Sequence, residues 1–385
     1  YCVGEGEETL LETARRVREG RDLAGIPGLL VLDENHECQL VEREPIMDLD
    51  RVPHPRYEEF DLDIYPGDSL ILEWSRGCIG NCTYCKGKQI SGDYRTRSAA
   101  HIFAELEYHY RVNRIDNFTI SDNLINGCPE VLEELCDKII AAQLPIRFNG
   151  EGIPLPAMDG PILEKLARAG CYELQWGLES GSEIVLKAMN KRRFFKPEQA
   201  ARVVRRSHEA GIKTCLFIIV GFPGETDAEW QKTMDFVRAN AEWIDQIKSI
   251  NSMHVITGTM VHLHAERFGI ELPERDYHYL WRSVDGTNTP AVRNRRIREL
   301  LALCQDLSIE VRETNLTEGK QNDLAASIGD ESLSMELRMK MLIDEINDLR
   351  SFETDTVEAG DVAGAQPDEE EGAGDEIDAE FVGDH

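Results

Sequence analysis

At 385 residues the chain exceeds the size at which one hydrophobic core usually stops growing, so a large α/β domain with appendages, or two domains, is expected. Lys+Arg 42 against Asp+Glu 72 gives a formal charge of -30, which repels a phosphate backbone and argues against nucleic acid as a partner. The longest strongly apolar stretch, around 215–220, falls far short of the ~20 residues a spanning helix requires, and no signal-peptide pattern opens the chain, so a cytoplasmic protein without a membrane span is expected.

In chain order, GEGEETLLETARRV reads as a Gly turn entering a helix, with acidic residues near its positive amino end. A Pro-punctuated connector follows, consistent with a β-hairpin and an extended crossing segment. Between Ser69 and Ile250, short β-branched runs alternate with helical patterns. Strands are predicted at 70–75, 117–121, 146–149, 173–177, 214–221 and 246–250; helices at 99–110, 130–142, 160–169, 197–210 and 227–239. Strands regularly separated by helices describe a parallel sheet of βα units, open or closed into a barrel, whose carboxyl-edge loops carry the site. Apolar spacing then predicts amphipathic helices over 294–313 and 331–352. Residues 353–385 hold 13 acidic and no basic residues, which leaves the body at -17 and makes this stretch an expected disordered acidic tail.

The chemistry is concentrated in WSRGCIGNCTYCKGK, just after the first predicted strand. Cys78, Cys82 and Cys85 are spaced CxxxCxxC, and soft thiolates select iron-sulfur or zinc. A closed zinc site wants four ligands, and no fourth Cys or His stands at knuckle spacing nearby. The other seven cysteines show no ligand spacing and default to free thiols.

CIGNCTYC, with an aromatic before its third Cys, resembles the signature of the radical S-adenosylmethionine (SAM) superfamily. The resemblance implies a partial (β/α)6 TIM-like barrel of the radical SAM type, with C-terminal helices and the acidic tail. It also implies a 4Fe-4S cluster held by Cys78, Cys82 and Cys85, whose open iron takes SAM and splits it reductively to a 5'-deoxyadenosyl radical. Tyr84 would then lie beside the adenine. TISDNLING stands where the family usually has a Gly-Gly-Glu-like motif, and Ser121, Asp122 and Asn123 are the acceptors it offers to the SAM amino group; turn and capping roles are the alternative for Asp122 and Asn123. In FNGEGIPLP, Asn149 and Glu151 sit at the carboxyl end of the third strand, where they would contact SAM or the substrate. ELQWGLESGS resembles the fourth-strand segment of cobalamin-dependent members and methylthiotransferases, where Glu179 would bind SAM polar groups and Ser182 cap a helix. In FIIVGFPGET, Gly221 would let the backbone approach the adenine.

The amino-terminal stretch resembles the end of a cobalamin-binding domain and its linker, although the DxHxxG loop whose His would ligate cobalt is absent. The resemblance therefore implies that further residues precede Tyr1. It divides the chain into 1–20, a cobalamin-domain remnant; 21–67, a linker; 68–270, the radical SAM core; 271–352, a helical region; and 353–385, the tail. The implied activity is radical chemistry on a small molecule, lipid or peptide, as cobalamin-dependent methyl transfer to carbon or a related rearrangement or cyclisation, with flavodoxin or ferredoxin as electron donor. A methylthiotransferase-like enzyme and a non-catalytic zinc scaffold are the alternatives. No side chain acting on the substrate is legible, and the basic runs KRRFFK and RNRRIR read as solvated helix faces.

Overall fold

A computed structural model describes residues 1–32, 38–64, 69–273 and 280–314. Seven strands form one parallel sheet in simple chain order: β1 (Leu70–Leu72), β2 (Asn117–Ile120), β3 (Arg147–Gly152), β4 (Cys171–Glu179), β5 (Lys213–Val220), β6 (Gln246–Ser252) and β7 (Glu310–Thr314). Each strand pairs with the next, and every pairing is parallel, as crossover helices require. The helices that pack on the sheet include α1 (Ala99–Tyr108), α2 (Pro129–Ala141), α3 (Pro161–Arg168), α4 (Pro197–Glu209), α5 (Asp227–Ala239) and α6 (Pro290–Asp306). The sequence specifies where they begin. Proline occupies the first turn of α2, α3, α4 and α6, where its missing N–H costs nothing. Ser98, Thr226 and Thr289 cap α1, α5 and α6 by accepting from His101, Glu229 and Val292 N–H groups.

The core lies between sheet and helices. Phe118, Phe148, Trp176, Leu216 and Ile247, one from each of five adjacent strands, are fully buried, and the Trp176 indole N–H donates to Ser207 Oγ of α4 at 3.2 Å. The other face of the strands is polar: Glu173 is bridged by Lys213 and Lys248, and Asn149 donates to the Tyr172 hydroxyl at 2.6 Å. The expected α/β barrel-type architecture is present, with all six predicted strands and the five βα helices in place.

The carboxyl-terminal part departs from expectation. The helix predicted over 294–313 ends at Asp306; Ser308 turns the chain with φ 57°, and 310–314 joins the sheet as β7, Gln246 pairing with Glu310. The partial barrel thus has seven strands, and the region expected to be helical from 271 onward also holds this strand and half of a small antiparallel pair, Ile270–Glu271 with Arg282–Ser283. Among the described residues the edge of β6 has no other partner on that side, and pairing with it outweighs the helical pattern of a short polar segment. The predicted helix over 331–352 and the tail over 353–385 lie outside the described residues.

At the amino end the helix Glu7–Glu19 stops at Gly20, whose φ of 64° suits glycine, and Leu30–Leu32 pairs antiparallel with Cys38–Leu40 as the expected hairpin. Arg76, just past β1, forms ion pairs with Glu5, Glu7 and Glu73 and so ties this segment to the barrel.

Candidate functional site

The three cysteines occupy a loop that leaves the carboxyl end of β1 and is closed at its base. Ser75–Arg76 pairs antiparallel with Arg95–Thr96, and a bridge joins Cys78 to Asp93. Gly77 makes this closure possible: its φ is +77°, and a Cβ there would sit 2.3 Å from the Asp93 carbonyl oxygen. Within the loop the Gly80 N–H points at Cys78 Sγ and the Gly87 N–H at Cys85 Sγ, each at 3.2 Å. A Cβ on Gly80 would lie 3.2 Å from Cys78 Sγ and 3.6 Å from Cys82 Sγ, so these two sulfurs face the same point. Burial pushes the Cys82 thiol up to about 11, with Lys191 pulling it down. Among the described residues no group of three His, Cys, Asp or Glu side chains is gathered tightly enough to hold a single metal ion. Three thiols on one loop, two of them already receiving backbone N–H groups, are a donor set suited to separate irons of one cluster.

Tyr84 packs edge-on against Phe222, which follows β5, with ring centroids 6.2 Å apart, and burial raises its hydroxyl pKa well above the usual value. Asp122 turns inward: its Oδ1 accepts the Trp74 N–H at 2.8 Å and its Oδ2 the Ser75 hydroxyl at 2.6 Å. Burial pushes this carboxyl up to about 7. Its geometry is that of a buried tie between β1 and the β2 turn, leaving Ser121 and Asn123 exposed beside it. Both line, with Arg76, Gly77 and Ser91, a cavity of about 760 Å³ between the cysteine loop and the amino-terminal segment. Glu151, on β3, pairs in register with Gln175 of β4; desolvation raises its carboxyl pKa, with Lys248 opposing.

Glu179 ends β4 in a left-handed backbone conformation, φ 65°, uncommon outside glycine. Lys191, buried, holds it there: Nζ lies 2.7 Å from Glu179 Oε1 and 2.7 Å from the Gly177 carbonyl oxygen. Gly177 makes room, since a Cβ there would be 2.8 Å from that ammonium. Ser182 caps the following helix as expected, accepting the Val185 N–H at 3.1 Å. Gly221, φ +79°, donates its N–H to Glu225 at 2.7 Å, while Arg293 occupies the space its side chain would fill, 2.3 Å from an added Cβ. Burial pushes Glu225 up to about 7, opposed by Arg296, which pairs with it at 3.1 Å.

Two of these features were hidden in the sequence. KRRFFK is not a solvated face, since Lys191 and Phe195 are buried and Arg193 reaches the cysteine loop. Within RNRRIR, Arg293 and Arg296 point into the protein and are fully buried. Local pattern carries no signal for this, since the partners are remote in sequence: Arg193 bonds Ile79, 114 residues away, and Arg296 pairs with Glu225, 71 residues away.

The site therefore gathers, at one edge of a parallel sheet, the cysteine loop, the β2 turn, Glu179 and the Gly221 turn. Residues 72–237 match the family model of the Radical SAM superfamily. The chain carries a radical SAM domain. An uncharacterized methyltransferase of Pyrococcus horikoshii is 28% identical to it over 254 residues, covering 61% of this chain and 51% of that protein. The anaerobic magnesium-protoporphyrin IX monomethyl ester cyclase of Synechocystis is 24% identical over 297 residues, covering 74% of this chain and 58% of the cyclase. Among solved structures, the radical SAM methyltransferase TsrM of Kitasatospora setae, with cobalamin and a [4Fe-4S] cluster bound, superposes with a TM-score of 0.62 at 19% identity over 86% of this chain and 72% of its own. The cobalamin-dependent radical SAM enzyme OxsB superposes at 0.55 with 18% identity over 80% of this chain and 45% of its own. These likenesses show that the radical SAM domain shares their fold. The chain spans about half the length of the curated relatives it matches.

Proposed function

We propose that the chain is the catalytic core of a cobalamin-class radical SAM enzyme, which cleaves SAM reductively to begin methyl transfer to carbon, or a related cyclisation or rearrangement, on a substrate not yet identified. The observation that carries this reading is the juxtaposition of Cys78, Cys82 and Cys85 with Glu179 at the carboxyl edge of a parallel barrel, within a radical SAM domain. Cys78, Cys82 and Cys85 would each hold one iron of a 4Fe-4S cluster. Such a cluster, bound and reduced, supplies the electron that breaks a carbon-sulfur bond of SAM. The protein's part is to hold and orient. Lys191 fixes the Glu179 carboxylate, one of whose oxygens remains to accept from SAM; Ser121, Asn123 and Glu151 offer acceptors across the mouth; Tyr84 and Phe222 form an aromatic wall for the adenine. The Gly80 and Gly87 N–H groups stabilise anionic sulfur. Two relatives whose printed functions are methyl transfer and ring closure favour this reading over a methylthiotransferase or a zinc scaffold.

In this reading 68–270 is the core, 21–67 the connector and 1–20 the end of a cobalamin-binding domain. A flavodoxin- or ferredoxin-like reductant and a reducing cytoplasmic setting belong to the same proposal. Among the described residues no helix is long and apolar enough to cross a membrane. The test is anaerobic reconstitution: about four iron and four sulfide per chain are expected, with SAM cleaved on reduction, and Cys82→Ala should lose both. Retention of iron and SAM cleavage in that variant refutes the assignment.

A further inference from the structure

We propose that residues 190–193 form a positioning clasp that sets the cysteine loop in register with Glu179, an inference that rests on the reading of the site just given. The sheet order poses a geometric problem. The cysteine loop is anchored on β1 and Glu179 ends β4, with β2 and β3 between them. At the usual ~4.8 Å spacing the two anchors stand roughly 14 Å apart, and no strand pairing relates them directly. Each could shift independently of the other unless something crosses the gap.

The segment after the helix Glu183–Ala188 crosses it. Asn190 Nδ2 donates to the Asn81 carbonyl at 2.8 Å, and Arg193 Nη2 donates to the Ile79 carbonyl at 2.8 Å. These carbonyls flank Gly80, midway between Cys78 and Cys82. Thr83, between Cys82 and Tyr84, donates its N–H to Met189 O at 3.1 Å and its hydroxyl to Ala188 O at 3.0 Å. Lys191, inside the same segment, reaches the other way to Glu179 and Gly177. Three of these four residues thus hold the two halves of the site, Asn190 and Arg193 the loop and Lys191 Glu179, while Arg192 pairs with Glu183 of the preceding helix.

The local backbone serves this reach. Asn190 has φ 61°, a left-handed conformation that asparagine tolerates better than most residues, and it throws the side chain toward the loop rather than along the helix. Arg193 lies over the Phe194 ring, 4.6 Å from its centroid, which limits the rotamers open to its guanidinium. On the far side of the loop, Val261 N–H donates to Thr83 O at 3.0 Å and Gln89 to Gly258 O at 3.1 Å, so the loop is held from two sides and the clasp is the jaw that also carries the Glu179 ion pair. Asn190 and Arg193 touch only carbonyls of the loop, which makes them positioning rather than catalytic residues.

Asn190→Gly keeps the backbone conformation and removes the amide, and Arg193→Ala removes the guanidinium; neither empties the core. In iron-free, reduced protein, alkylation of Cys82 by iodoacetamide should rise about tenfold in the double variant, the change expected for losing two ordinary hydrogen bonds, with the melting temperature within a few degrees of the parent. In reconstituted protein, iron content should stay at the parent's level. SAM should bind about tenfold more weakly, read from its perturbation of the reduced cluster's electron paramagnetic resonance spectrum, and Arg193→Lys, which keeps a donor, should recover most of that loss. Unchanged alkylation together with unchanged SAM binding overturns the clasp; if the double variant does not fold, the single variants decide on the same readings. A parent protein that takes up no cluster refutes the proposed function instead, while the alkylation comparison still decides the clasp.

Discussion

Asp122 offers a quantitative test of how the barrel's carboxyl edge is held. Its carboxyl is 4% exposed and receives the Trp74 N–H and the Ser75 hydroxyl. Burial raises its pKa from 3.8 to about 7, more than those hydrogen bonds lower it. In the protonated form the acid proton is given to Ser75 Oγ, which passes its own toward the Leu124 carbonyl, 3.3 Å away. A folded-state pKa above the unfolded value means that the group's contribution is whole below the unfolded pKa and is lost as pH climbs through about 7. Between pH 5.5 and 8.5 that loss amounts to about 2 kcal/mol. Asp122→Asn reproduces the hydrogen bonds without the charge: the amide oxygen accepts from Trp74 and the amide nitrogen donates to Ser75. Urea unfolding of iron-free protein should therefore show the Asn variant gaining about 2 kcal/mol on the parent across that range. Asp122→Ala, which leaves the Trp74 N–H buried without a partner, should lose about 1–3 kcal/mol at every pH. A difference between Asn and parent that stays flat with pH refutes the buried neutral carboxyl.

The base of the cysteine loop and the Gly221 turn should be equally sensitive. Gly77→Ala puts a Cβ 2.3 Å from a backbone oxygen at positive φ, and is expected to cost at least about 2 kcal/mol in denaturant unfolding and to reduce iron loading in parallel. Arg296→Ala strands the buried Glu225 carboxylate, an expected loss of about 3–5 kcal/mol in the same assay; adding Glu225→Gln, which removes the stranded charge, should recover part of it.

The strands and the cysteine loop were legible because their signals are local. Runs such as TCLFIIVG can bury a strand on both faces, and CxxxCxxC places its donors by spacing alone. What escaped depends on partners distant in sequence. EVRET carries no strand pattern of its own and becomes β7 because the edge of β6 needs pairing. Lys191 and Arg193 read as surface charge because their partners, Glu179 and Ile79, lie 12 and 114 residues away. Asp122 could be read either as a ligand or as a turn residue, since its role depends on whether Trp74 and Ser75 are folded beneath it.

The buried polar residues around the site share one property. Asp122, Lys191, Glu225, Arg293 and Arg296 are all buried polar groups at the carboxyl ends of the strands, and each is hydrogen-bonded to backbone of a turn that faces the site or to a group that is. A parallel sheet leaves its carboxyl edge as a row of unpaired turns, and apolar packing cannot fix the direction of a carbonyl or an N–H. Buried charge can, at the cost of desolvation that must be met by near-complete hydrogen bonding. Such supports fix the direction of the turns: Asp122 holds the one that carries Ser121 and Asn123, and Glu225 the one that carries Gly221.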